Sequence, residues 1–415
     1  MILRSRLVWS PGQPPIEDGA VRVDLDRIVW IGSFHGIESG SGETVYDLGE
    51  RILLPGLVNA HCHLDYTEMA GRAYPPAAFP DWIKALLVLK AHWTYTEYAR
   101  SWLCGATMLL NSGVTTVADI EAVPELLPDV WSSTPLRVWS FLEMTGIRSQ
   151  RSPGEILREA TDRIEALPKG RGSAGLSPHA PYSTTPELLR LAAVAGAEHS
   201  LRLTTHVSES REEFQMFTRG TGPLFDWLKS QRDMSDCGGG SPVQHLQRQG
   251  LLRENLLAVH VNYLAPGDAG LLAANRVSVA HCPRSHAYFR HDAFPLRELR
   301  ESGVNICLGT DSLVSVLSER GDIPQLSLFA DMQACALAHL DLPLEEIVEM
   351  ATRNGAAALG QSGVLGELSP GAKADLIAIP YAGGPEGVGE AVVHHQGTVA
   401  ASMIDGDWAL EPGGV

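Results

Sequence analysis

Cysteine is sparse and scattered. Cys62, Cys104, Cys237, Cys282, Cys307 and Cys335 never fall in a C-x-x-C pair. This spacing suits free thiols in a reducing cytoplasm better than a disulfide framework. No run of about 20 apolar residues occurs, so no segment is expected to span a bilayer. The opening Met1-Ile2-Leu3-Arg4-Ser5-Arg6-Leu7-Val8-Trp9 lacks the apolar core of a signal peptide. Positive charge is short: 32 Lys and Arg stand against 49 Asp and Glu, for a formal net charge of −17. Nucleic acid and anionic membrane are poor partners for such a chain. A small molecule remains the expected partner, because a pocket can differ from the average. Missing too is a glycine-rich phosphate fingerprint after an early strand, which weakens a doubly wound open sheet.

What is present fits a globular chain of 415 residues, 44% hydrophobic and 20% charged. Residues 1–50 alternate apolar and polar as half-buried strands do, for example Val21-Arg22-Val23-Asp24-Leu25. Residues 364–415 read similarly, and both ends are expected to pair into one small β-sandwich domain. Between them, 51–363 alternates β-branched runs with helical periodicity. Strands are expected near 52–60, 114–120, 136–144, 173–178, 202–206, 256–261, 277–281 and 304–309. Eight such units predict an α/β fold, a (β/α)8 TIM barrel. A long insertion near 213–254 either covers the barrel's C-terminal face or is a surface excursion.

Titratable residues recur at the ends of these strands. His61 and His63 end the first, and their i, i+2 spacing puts both imidazoles on one face. His179 ends the fourth, His206 the fifth, His260 the sixth and His281 the seventh, and Asp311 follows the eighth. All are expected in one cup at the C-terminal rim. A core does not collect buried polar groups without partners.

The motifs Pro55-Gly56-x-x-Asn59-x-His61-x-His63, His206-x-x-Glu209, His260 and Gly309-Thr310-Asp311 resemble the amidohydrolase superfamily. The resemblance is strongest to its cytosine deaminase-like and adenosylhomocysteine/methylthioadenosine deaminase branch. Ala351-Thr352-Arg353-Asn354-Gly355 and Gly371-Ala372-Lys373-Ala374-Asp375-Leu376 extend it over nearly the whole chain.

The resemblance implies one divalent metal held by His61, His63, His206 and Asp311, with zinc the default and iron or manganese compatible. Dinuclear members carry a lysine at the end of strand four. Here that strand ends in Ser177-Pro178-His179, which favours a single metal. The implied reaction is hydrolytic deamination of an aminopurine nucleoside or related N-heterocycle. In it Glu209 protonates the ring nitrogen, Asp311 relays a proton to departing ammonia, and His260 hydrogen-bonds the developing oxyanion. Another leaving group at the same site, as in a triazine chlorohydrolase or a cyclic amidohydrolase, and a non-catalytic binding protein on the same barrel are the alternatives. Members of the family often pair, so a homodimer is compatible with the resemblance.

His179 resembles the substrate-binding histidine of nucleoside deaminases. Trp82 falls in the family's Phe-x-x-Trp helix, and ordinary core packing explains it equally well. Arg148 either pairs with a substrate carboxylate or is a solvated loop residue. Where nucleoside deaminases carry a ribose-binding Glu, this chain reads Lys90-Ala91-His92. After strand seven many relatives read His-x-Pro-x-Ser-Asn, whereas this chain reads His281-Cys282-Pro283-Arg284-Ser285-His286, and Arg284 and His286 suggest a different pocket. The insertion with Ser241-Pro242-Val243 and the run Asn59-Ala60-His61-Cys62-His63-Leu64-Asp65 resemble the aminodeoxyfutalosine deaminases.

Overall fold

The computed structural model describes residues 1–37, 42–147, 149–317 and 324–413. Eight parallel strands run in sequence order around one sheet. They are β1 (Leu57–Cys62), β2 (Val114–Glu121), β3 (Arg137–Met144), β4 (Ser173–Pro178), β5 (Leu203–Val207), β6 (Leu256–His260), β7 (Ser278–His281) and β8 (Ile306–Leu308). Every residue of β1, β2, β5 and β6 is buried. Parallel strands covered on both faces are buried along their whole length in this way. The circle closes where Cys62 bridges to Asp311 and the Asp311 N–H donates to the His61 carbonyl at 3.1 Å. The expected (β/α)8 barrel is present.

Both chain ends meet in a second sheet of eight strands. Leu376–Pro380 pairs antiparallel with Ala401–Ile404 on one side and with Arg51–Pro55 on the other. Arg51–Pro55 lies beside Ile2–Val8, which pairs with Ile16–Asp24. The run expected to be one strand over 52–60 is therefore two strands in different sheets. Gly56 is the crossing point. A Cβ there would lie 2.1 Å from the Thr115 hydroxyl oxygen, so only glycine lets the backbone pass. A buried ion pair ties the sheets together: the Arg137 guanidinium, at the start of β3, reaches Asp375 at 3.2 Å and Asp405 at 2.7 Å.

Three helices lie between β5 and β6: α2 (Arg211–Arg219), α3 (Pro223–Leu228) and α4 (Pro242–Arg248). A further helix, α1 (Phe79–Lys90), follows β1. Met216, Phe217, Leu224 and Leu228 pack with Phe79 and Tyr182 in one apolar cluster. Trp227, Leu228 and Gln231 face the cleft beneath. The α2–α3 part of the insertion covers the cleft, while Val243 and Leu246 of α4 pack into the main core. Among the described residues no helix is long and apolar enough to cross a membrane.

Candidate active site

His61 and His63 leave the end of β1, His206 sits in β5, His260 ends β6 and Asp311 follows β8. All five are buried. His63 Nε2 lies 3.3 Å from His206 Nε2. His61 Nε2 and His63 Nε2 each lie 3.6 Å from Asp311 Oδ1. Four ligands at zinc–nitrogen and zinc–oxygen bond lengths of about 2.0–2.1 Å form a tetrahedron with edges of roughly 3.3–3.4 Å, close to these separations.

The chemistry of the donors agrees. Both ring nitrogens of His61 are buried without a hydrogen-bond partner, a costly arrangement unless a ligand arrives. His206 Nδ1 lies 2.8 Å from the His179 carbonyl oxygen, which assigns the proton to Nδ1 and leaves the Nε2 lone pair free. The Ser315 hydroxyl donates to Asp311 Oδ2 at 3.1 Å, leaving Oδ1 toward the imidazoles. Burial draws the His63 and His206 imidazoles well below their usual range, so both are neutral. Burial pushes the Asp311 carboxyl up, but the neighbouring His61, His260 and His63 outweigh it and hold it well below its usual range, so the group stays an anion. Three imidazoles and one carboxylate fit a zinc-type ion, and iron(II) or manganese by the same donors.

Backbone strain aims these side chains. Ser208, His260, Val261 and Asp311 hold φ of +51°, +74°, +52° and +53°. For non-glycine residues this costs of order 1–3 kcal/mol each and persists where packing enforces it. Gly309 contributes by its smallness: a Cβ there would lie 2.8 Å from the His61 Cβ.

Glu209 sits beside the donor set, its Oε1 3.6 Å from His260 Nε2. Burial, with Asp311 and Glu213 nearby, pushes its carboxyl well above the ordinary range and favours the proton-bearing form. Burial takes His260 down to about 3. The loop carrying Glu209 is held twice. Its N–H donates to Glu213 Oε2 at 2.9 Å, and Asn262 Nδ2 donates to its carbonyl at 2.9 Å.

Glu213 is fully buried and pushed up to about 8 by burial. A carboxyl whose folded pKa is raised binds its proton more tightly when folded. Its contribution is complete below the unfolded value of 4.5 and is lost as pH rises through about 8. Glu213→Gln is therefore expected to flatten the fall in Tm across that window, and thermal melts from pH 4.5 to 8.5 check it. A slope identical to the parent's contradicts the assignment.

The cleft above the donor set is a cavity of about 310 Å³. His179 and Trp82 line it, as do His63, His206, Glu209, His260 and Asp311. His179 Nδ1 lies 2.5 Å from the Ser183 hydroxyl and its Nε2 lies 3.7 Å from Glu143. Arg148 lies outside the described residues. Arg284 and His286 are not in the cleft lining. Arg284 is tied to the buried Asp331, through its N–H at 3.1 Å and its Nε at 2.8 Å, and to the Gln325 carbonyl at 3.0 Å. His286 packs edge-on against His281 and His291. His281 stacks on Phe294, centroids 3.8 Å apart, and is also absent from the lining, so the cup expected from the strand ends closes without it.

Glu143, Tyr66 and Lys90 line the cleft without having been anticipated. Glu143 had a signal, as a lone carboxylate one residue from the end of the apolar β3. Lys90 had a weaker one, its place on the helix after the Phe-x-x-Trp motif.

Comparison with known proteins places this geometry. A 5-methylthioadenosine/S-adenosylhomocysteine deaminase of Symbiobacterium thermophilum is 28% identical over 379 residues, covering 88% of this chain and 80% of that protein. The atrazine chlorohydrolase of Arthrobacter aurescens, solved with zinc, superposes with a TM-score of 0.84 at 19% identity, over 99% of this chain and 95% of that one. The aminofutalosine deaminase of Helicobacter pylori, solved with methylthio-coformycin, superposes with a TM-score of 0.84 at 22% identity, over 98% and 99% of the two chains. The model of the amidohydrolase family matches residues 52–409, and the chain belongs to that family.

Proposed function

We propose that this protein is a hydrolytic deaminase of aminopurine nucleosides or closely related N-heterocycles, dependent on one divalent metal, with zinc the best fit. The observation that carries the reading is the convergence of four buried donors, His61, His63, His206 and Asp311, beside the buried carboxyl of Glu209. The Symbiobacterium thermophilum relative is a 5-methylthioadenosine/S-adenosylhomocysteine deaminase. The six free cysteines fit a reducing compartment, the cytoplasm.

The reaction consumes water at a carbon of an N=C–NH2 unit and releases ammonia, leaving a carbonyl. A divalent ion held by the four donors supplies Lewis acidity that brings a water's pKa toward neutrality. The chain's own groups do the rest. Glu209 holds a proton at its carboxyl and delivers it to the ring nitrogen, which breaks the C=N conjugation and readies the carbon for attack. The Asp311 carboxylate takes one proton of the attacking water and passes it to the amine, which leaves as ammonia when the C–N bond breaks; the second proton of that water returns to the Glu209 carboxylate as the carbonyl forms. His260 Nε2, kept neutral by burial, hydrogen-bonds the oxygen of the tetrahedral centre. The α2–α3 cover excludes bulk water from these transfers.

An ammonia-release screen tests the reading with adenosine, methylthioadenosine, adenosylhomocysteine, aminodeoxyfutalosine, guanine and cytosine. At least one adenine-bearing compound is expected to turn over. Silence on all six, with chloride released from a chlorotriazine, would assign the site to another leaving group.

A further inference from the structure

Among the described residues, Lys90 is the one lysine or arginine lining the cleft. It stands in the last turn of α1, half-buried. Its ammonium hydrogen-bonds the Tyr66 hydroxyl and sits 4.8 Å from the Tyr66 ring centroid. Tyr66 stacks on His63, with centroids 5.4 Å apart and planes 7° from parallel. The ammonium is thus one aromatic ring removed from the donor set. That is too far to touch the reacting carbon, and within reach of a substituent on the heterocycle.

Two features make this lysine more than a helix terminus. A cation in the last turn is favoured by the helix dipole wherever its side chain points. That does not explain why Lys90 turns into the cleft onto a neutral phenol and makes no ion pair among the described residues. Asp65, buried next to Tyr66, is close enough to feel the Lys90 charge, but no carboxylate among the described residues closes an ion pair with the ammonium, and its hydrogen-bonding capacity is completed when an anion binds from the cleft. The surface leading to it is apolar: Trp82, Ile83, Leu86 and Leu87 of α1 all line the cleft. Glu143, the carboxylate of the same lining, faces His179 at 3.7 Å and repels a second carboxylate from that side. An anionic group therefore finds its favourable position beside α1.

We propose that Lys90 selects the substrate by pairing with a carboxylate at the end of an apolar arm on the heterocyclic nucleoside, the arm lying along Trp82, Ile83, Leu86 and Leu87. The inference rests on the deaminase reading for its kinetic readout alone.

The test is a matched pair, 5′-deoxy-5′-(2-carboxyethylthio)adenosine and its methyl ester, given to the full-length, metal-loaded protein. The acid is expected to exceed the ester in kcat/KM by about 10-fold or more, mainly through KM. Lys90→Arg is expected to keep the preference, Lys90→Met to bring the ratio near one and Lys90→Glu to invert it. Equal handling of acid and ester by the parent, or a preference that survives Lys90→Met, overturns the inference. If neither compound releases ammonia, the deaminase reading fails for this pair. Calorimetric titration with the same two compounds then reads the preference as a Kd ratio with the same expectations. Compounds that bind equally, or not at all, overturn it.

Discussion

Glu209→Gln is expected to lower kcat by about 10²–10⁴-fold while the protein keeps its metal. The amide matches the carboxyl in shape and retains hydrogen-bonding capacity, so the fold and the donor set persist. What it lacks is a transferable proton. Burial, Asp311 and Glu213 all disfavour the Glu209 anion, and this makes the residue an acid where most carboxylates are bases. The effect should fall on kcat with little change in KM, because the proton moves only as the transition state forms. Metal analysis and single-turnover ammonia release on the same sample check it. Near-normal turnover by a metal-replete variant would remove Glu209 from the proton path.

His63→Ala is expected to fail differently, through loss of the metal and with it all measurable turnover. His63 touches both neighbours in the donor set, His206 at 3.3 Å and Asp311 at 3.6 Å. Its ring also supports Tyr66 by stacking. Removing it leaves two imidazoles and a carboxylate at a buried position. Metal content is expected to drop from one equivalent per chain to near zero, and Tm to fall because a ligand of the folded state alone has been lost. Retained metal with lost activity would mean that His63 is not a ligand.

The contrast between these variants explains what could be read from the sequence and what could not. An apolar run that ends in a polar residue marks both a buried parallel strand and the rim it delivers its side chain to. His61, His206, His260 and Asp311 were legible for that reason. The same rule carried His281 too far. Its strand ends as the others do, but Phe294 lies against the ring, and nothing at positions 278–282 announces a residue twelve places on. Arg284 was lost to a long-range partner in the same way, since Asp331 comes from a helix 47 residues later. The two strands joined at Gly56 read as one because both halves are apolar and no polar turn separates them. The close approach of Thr115 that demands glycine is a tertiary fact. Lys90 and Glu143 belong to different elements, and only the fold puts them in one cleft.

The dependence of ammonia release on metal stoichiometry tests the central claim most directly. Protein stripped by a chelator and titrated with zinc should gain activity in proportion up to one equivalent per chain and then level off. His63→Ala should gain none. Full activity in the stripped protein, or a rise that continues to two equivalents, would contradict a single metal held by His61, His63, His206 and Asp311.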